Sequence, residues 1–334
     1  MLAAIFGLSG PTLTPDERGF FREADPVGYI LFARNIETPE QVRALTGSLR
    51  DLHGRDDLPI LIDQEGGRVA RLKGPHWPEF PPGGAFARLY QRAPMSAIEA
   101  ARVNGEALGL TLSALGITVD CLPLLDVRRA DAHDIIGDRA LGAEPMQVAA
   151  LGRATLEGLA RGGCVGVVKH MPGHGRALCD SHKELPVVNA DTEALETDIA
   201  PFASLKDAPM GMSAHVVYTA WDAERPGTLS PTVIGDVIRG RIGFDGFLMS
   251  DDLDMKALSG TAGEKAAGTV AAGCDAALDC WARMDEMIDV AERTPPLSAE
   301  GRRRLERAMT MRLQPEPERL AEVTAKRDRL LAYA

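Results

Sequence analysis

The sequence predicts an α/β fold, a (β/α)8 TIM barrel forming one domain over residues 1–334. Three observations carry that expectation. Eight short apolar runs recur along the chain, longer stretches of helical character separate them, and charged residues collect where the runs end. Most of the runs are almost continuously apolar, without in/out alternation, which suits parallel strands covered on both faces. Eight strand–helix units favour a closed barrel over a doubly wound sheet. No Gly-x-Gly-x-x-Gly follows the first run, and there is no P-loop. The length of 334 residues could hold two domains, but barrels reach this size as one. No linker, repeat or low-complexity tract divides the chain.

The expected strands are residues 3–8, 28–32, 59–62, 118–122, 164–169, 210–215, 246–250 and 276–279. The expected helices begin with 38–52, where Thr38-Pro39-Glu40-Gln41 supplies an N-cap, a proline at the first helical position and a polar third residue. Segments 96–115, 145–161, 192–206 and 230–239 repeat the pattern. Segments 297–313 and 317–334 read as closing helices. Residues 73–85 hold Pro75, Pro78, Pro81 and Pro82 and form a long irregular loop after the third strand.

Composition narrows the partners. Lys and Arg total 37 against 48 Asp and Glu, a net charge of −11. Such a chain, without a basic block, is a poor ligand for nucleic acid or an anionic membrane. The five cysteines, Cys121, Cys164, Cys179, Cys274 and Cys280, form no CxxC and are odd in number, so free thiols in a reducing compartment are expected. The apolar start, residues 1–10, is short and lacks a basic flank. It reads as a first strand, not a signal peptide. No apolar run reaches the length of a membrane span. A soluble, cytoplasmic monomer is expected.

The chemistry is concentrated at the strand ends, where a barrel keeps its active site. The third strand ends in Asp63-Gln64-Glu65-Gly66-Gly67-Arg68, with Arg71 beyond. The fourth leads to Asp126 and then Arg139. The fifth runs into Lys169-His170-Met171-Pro172-Gly173-His174-Gly175, followed by Asp180-Ser181-His182. The sixth ends at His215 and the seventh at Asp251-Asp252. Four of the seven histidines therefore fall between residues 170 and 215. Charges of this kind are costly to bury singly but can pair at one mouth and meet a polar ligand. Asp251, directly after Phe247-Leu248-Met249-Ser250, is the candidate nucleophile or carboxylate base, with Asp252 as a turn-capping neighbour. Asp180 and His182 can place an imidazole beside a carboxylate, which fixes its tautomer and raises its basicity. Together they form a general acid/base plus nucleophile set. Zinc is the rival use of such histidines, but no His-x-His follows the first strand and no His-Glu-x-x-His occurs. Neither metal nor cofactor is expected.

These motifs resemble the bacterial β-N-acetylhexosaminidases of glycoside hydrolase family 3, the single-domain kind that recycles peptidoglycan. The matching stretches are Gly28–Asn35, Ile62–Val69, Gly137–Gly142, Lys169–Gly175 with Asp180–His182, and Leu248–Leu253, in the family's order. The resemblance implies a retaining mechanism with Asp251 as nucleophile and His182, oriented by Asp180, as acid/base. It implies that Asp63, Arg71, Arg139, Lys169 and His170 bind the terminal sugar. It places His174 in the mobile loop and His215 on the pocket floor. The implied substrate is N-acetylglucosamine β-linked to 1,6-anhydro-N-acetylmuramic acid, with or without peptide. A family-3 β-glycosidase of other sugar specificity and a non-catalytic sugar-binding barrel stand as alternatives. The chain departs from the family pattern at Met171, where phenylalanine is commoner, and in Arg176-Ala177-Leu178.

The remaining residues have plainer readings. His53 and His76 are expected at the surface, and His133 in loop packing or at the pocket rim. Trp77, Trp221 and Trp281 are expected mainly as buried bulk, with sugar stacking as the alternative. Glu65 is expected to hold its turn and not to act in catalysis.

Overall fold

Parallel strands close on themselves in the computed structural model, which describes residues 1–130 and 132–333. The barrel strands are β1 (Leu2–Phe6), β2 (Pro26–Leu31), β3 (Ile60–Ile62), β4 (Val119–Asp120), β5 (Val165–Met171), β7 (Met210–Ser213), β9 (Phe247–Asp252) and β10 (Ala276–Asp279). They hydrogen-bond in the order β1-β10-β9-β7-β5-β4-β3-β2, and pairing of Ala4 with Ala277 closes the ring. The expected (β/α)8 barrel is the observed fold.

Alternation is hidden because both faces of each strand are dry, yet it still sorts the side chains. Ala3, Ile5, Val27, Leu61, Val119, Val165, Val167, Met212, Met249 and Leu278 form one cluster, the barrel interior. Their neighbours Ala4, Phe6, Tyr29, Leu31 and Ile62 pack outward under the helices.

The surrounding helices are α1 (Pro15–Ala24), α2 (Pro39–His53), α3 (Gly83–Arg92), α4 (Pro94–Ser113), α5 (Pro145–Arg161), α6 (Thr192–Ser204), a π-type helix (Thr232–Arg241), α7 (Ala262–Ala272) and α8 (Met284–Arg293). α9 (Ala299–Thr310) adds Leu305, Ala308 and Met309 to the interior cluster, and α10 (Leu320–Leu331) packs on α4. Thr38 caps α2 as expected, accepting from the Gln41 N–H at 3.2 Å. The closest helix packing joins α4 to α5. A Cβ on Gly158 would lie 2.0 Å from the Arg102 carbonyl oxygen, so only glycine permits this approach.

Four helices, α1, α3, α7 and α8, were not expected. A second departure is a small parallel sheet outside the barrel, β6 (Val187–Val188) with β8 (Val217–Tyr218). It ties the far end of the histidine loop to the segment after β7. The expected last helix ends earlier, at Leu331, and its final residue, Ala334, lies outside the described residues. Among the described residues no helix is long and apolar enough to cross a membrane.

Candidate active site

A cavity of about 340 Å³ opens at the C-terminal ends of the strands, as a barrel predicts. Asp63, Arg71, Arg139, Lys169, His170, His182 and Asp251 all line it. Asp180 stands behind His182, outside the lining.

One wall is a chain of alternating charges. Arg71 Nη2 donates to Asp63 Oδ2 at 3.0 Å, and Lys169 Nζ to Asp63 Oδ1 at 3.0 Å. Lys169 also lies 2.7 Å from Glu65 Oε1, and Arg139 grips Glu65 with two bonds of 2.8 Å. Burial alone would push Lys169 down, but Glu65 and Asp63 more than reverse it and hold it charged. Burial would likewise raise Asp63, and Lys169 and Arg71 bring it well below the ordinary carboxylate range. Every ionised group here is partnered, which is what makes such a buried cluster tolerable. The Arg71 Nε, also buried, has no partner among the described residues. The turn that carries Glu65 depends on glycine, since Gly66 and Gly67 have φ of 100° and 56°. The Glu65 carboxylate, expected to hold this turn, instead anchors Arg139 and Lys169, and only its backbone N–H bonds within the turn, to the Val69 carbonyl at 3.0 Å.

The opposite wall centres on β9. Asp251 ends a rigid strand and accepts the Asp252 N–H at 2.8 Å. Burial would raise its carboxyl, but the neighbouring His170 and His215 and that N–H hold it below the ordinary value. Asp251 is therefore ionised at neutral pH. His170 Nε2 lies 4.0 Å from Asp251 Oδ2. The other ring nitrogen of His170 contacts Asp126 Oδ2 at 2.7 Å. A carboxylate only accepts, so Nδ1 carries the hydrogen. Asp126 is buried, and its other oxygen accepts the N–H groups of His170 (3.2 Å) and His174 (2.7 Å). Burial alone would raise it, but His170 and His174 lower its carboxyl to about 2.

The loop between β5 and β6 brings in Asp180 and His182. Asp180 Oδ1 accepts both the His182 backbone N–H (3.0 Å) and its Nδ1–H (2.8 Å). This leaves Nε2 free for proton transfer. The His182 side chain is 62% exposed. The start of the loop is fixed: Tyr218 donates to the Gly173 carbonyl at 2.8 Å, and Arg176 pairs with Asp198 and donates to the Ala194 carbonyl. His174 is buried beside Ser181 at 3.2 Å, and burial drops it to about 4, so it is neutral.

Several expectations change. His215 does not line the cavity; it is wholly buried behind it, bonded to Thr228 Oγ1 (2.8 Å) and to the Asp252 carbonyl (2.9 Å). His53 is not a surface side chain: only 4% of it is exposed, and its ring meets the Tyr29 hydroxyl at 2.7 Å. Trp281, expected mainly as buried bulk, is 53% exposed. Asp126 was legible as a strand-end charge, but its grip on two histidines was not.

Residues 22–308 match the model of the glycosyl hydrolase family 3 N-terminal domain. The chain belongs to glycosyl hydrolase family 3. A β-hexosaminidase of Aromatoleum aromaticum is 38% identical over 307 residues, 90% of this chain and 85% of that protein. A β-hexosaminidase of Alkalilimnicola ehrlichii is 39% identical over 281 residues, covering 83% and 80%. In structure, the chain is similar to NagZ from Neisseria gonorrhoeae in complex with N-trifluoroacetyl-D-glucosamine. That likeness has a TM-score of 0.87 at 30% identity and covers 99% of this chain and 98% of the other. The molecule is thus a glycoside hydrolase, and the family expected from its motifs is the family found. Among the described residues of this family-3 hydrolase, no group of three or more His, Cys, Asp or Glu is placed to hold a metal ion.

Behind the site, Asp279 at the end of β10 is 3% exposed, and its Oδ2 is buried without a partner among the described residues. Burial, with Asp252 nearby, raises its carboxyl from 3.8 to about 7. A raised carboxyl binds its proton more tightly folded than unfolded. Its stabilising contribution is therefore full below about pH 4 and is lost as pH climbs through 7. Asp279→Asn is expected to be more stable than wild type at pH 8, on the order of 2 kcal/mol. At pH 4 the two should unfold alike. Denaturant titrations at both pH values measure this, and equal stability at pH 8 contradicts it.

Proposed function

We propose that this family-3 hydrolase is a retaining exo-β-N-acetylglucosaminidase acting as one catalytic domain over residues 1–334. The observation that carries the reading is an ionised Asp251 on a rigid strand, facing the same cavity as a His182 whose Nδ1 is held by Asp180. Asp251 attacks the anomeric carbon while His182 gives its Nε2 proton to the departing oxygen, leaving a glycosyl ester on Asp251. His182 then takes a proton from water, which attacks the same carbon and frees Asp251. Asp180 stabilises the imidazolium at each stage. A histidine acid also avoids setting a second anion beside the nucleophile. Asp63, Arg71, Arg139, Lys169 and His170 bind the terminal sugar. Because His182 is largely exposed, proton transfer requires its loop segment to settle over the bound sugar.

The relatives named β-hexosaminidase and the NagZ likeness support N-acetylglucosamine as the sugar. The finer reading is a cytoplasmic monomer that cleaves N-acetylglucosamine from 1,6-anhydro-N-acetylmuramic acid, with or without peptide, in cell-wall recycling. Turnover of 4-nitrophenyl N-acetyl-β-glucosaminide and 4-nitrophenyl β-glucoside tests the sugar. The acetamido substrate should lead in kcat/KM by about a hundredfold or more. Faster glucoside turnover assigns another family-3 specificity, and sugar binding without hydrolysis assigns a non-catalytic barrel. Release of N-acetylglucosamine from the anhydromuramoyl disaccharide tests the finer reading.

A further inference from the structure

The cavity wall does not stop at the sugar pocket. Phe32 lines the cavity, and the Arg71 guanidinium lies 5.1 Å from the centre of its ring. Arg34 lies 4.9 Å from the same ring and 5.8 Å from the ring of Trp281. Arg283 lies 6.0 Å from the Trp281 ring. Guanidinium and aromatic ring thus alternate from the Arg71–Asp63 pair in the cavity to Trp281, one residue past its lining. The ladder is pinned. Arg34 donates to the carbonyls of Leu8 (2.7 Å) and Cys280, and Arg283 is held by Asp254 and Glu286.

Trp281 follows Cys280, which lines the cavity, so the chain leaves the wall at the indole. The two guanidinium contacts are near the outer limit of cation–π range. They hold the ring without covering it, and about half its surface stays open. The next residue, Ala282, has φ of 57°, a left-handed conformation rare for any residue with a Cβ. Backbone strain of this kind collects at functional positions. A single exposed apolar side chain is ordinary on a protein surface. A large indole one residue past the cavity wall, flanked by guanidinium groups from the segment after β2 and from its own segment and followed by a strained turn, is not.

Resting on the glycosidase reading of the cavity, we propose that Trp281 is the stacking platform for the leaving-group sugar. The apolar face of a pyranose ring lies on the indole while the terminal sugar occupies the pocket. Trp281 is then a specificity-determining residue for substrates whose leaving group is itself a sugar.

The test compares N,N′-diacetylchitobiose with methyl N-acetyl-β-glucosaminide. Both lose an alkoxide-type leaving group, but only the first has a second ring to stack. Trp281→Ala should lower kcat/KM for the disaccharide about tenfold and leave the methyl glycoside within about twofold. Trp281→Phe should recover most of the loss. Equal losses on both substrates make the residue structural and overturn the proposal, as does no loss on either. Calorimetric titration of the Asp251→Asn background separates this proposal from the activity it rests on. There, Trp281→Ala should weaken chitobiose binding and leave N-acetylglucosamine binding unchanged. If the wild type hydrolyses neither glycoside, the activity reading fails while the titration still decides the platform.

Discussion

Asp251→Asn is expected to lose turnover by roughly 10⁴-fold or more, because the amide cannot form the glycosyl ester. The substitution is nearly isosteric. The amide oxygen would still accept the Asp252 N–H, which now bonds the carboxylate at 2.8 Å. The lost turnover should therefore be chemical in origin, with the melting temperature little changed. Trapping wild-type enzyme with a 2-acetamido glycosyl fluoride analogue should place the label on the peptide carrying Asp251. Rates for Asp251→Asn within tenfold of wild type, or a label elsewhere, would remove this residue from the nucleophile role.

His182→Ala is the second large effect, and its signature is selectivity. A general acid contributes most where the departing oxygen is a strong base, typically 10²–10⁴-fold. The variant should lose about a hundredfold or more on chitobiose and much less on a dinitrophenyl glycoside, whose leaving group needs no proton. Asp180→Asn should show the same pattern in weaker form, since Asp180 Oδ1 holds the ring Nδ1–H at 2.8 Å and the His182 backbone N–H at 3.0 Å. Equal losses across leaving groups would show that His182 orders the loop and does not move a proton.

Much of this molecule could be read from its residues alone, and the reasons are physical. Barrel strands are buried on both faces, so their apolar runs stood out, and Pro145–Arg161 kept the bounds its amphipathic pattern suggested. Helix α7 was missed although Thr261 and Glu264 form a capping box at its start. Its alanine- and glycine-rich body carries too few large side chains to mark a stripe. Helix α1 offered the same kind of start in Thr14, Pro15 and Glu17. The sheet of β6 and β8 has two residues per strand, too few for any periodicity. At the site, Asp63, Lys169 and Asp251 were legible because each ends a strand and all strands of the barrel open on one mouth. The partners of Asp126 lie 44 and 48 residues away, and that of His53 lies 24 away. Such pairings arise only when neighbouring strands and helices pack together. Nor does sequence say which tryptophan stays in water, so Trp281 stood level with Trp77 and Trp221.

The single carboxylate of Asp126 binds the strand end and the first part of the histidine loop at once. With Tyr218 on Gly173 and Asp198 on Arg176, it clamps the loop root to the barrel. The loop therefore cannot swing from its base like a hinged door. Further along, Ser181 is buried as well, meeting His174 at 3.2 Å and accepting the Ala257 N–H at 3.2 Å. Asp180 and His182 therefore stand only a few residues beyond an anchored base, and the proposed proton transfer is made from that footing.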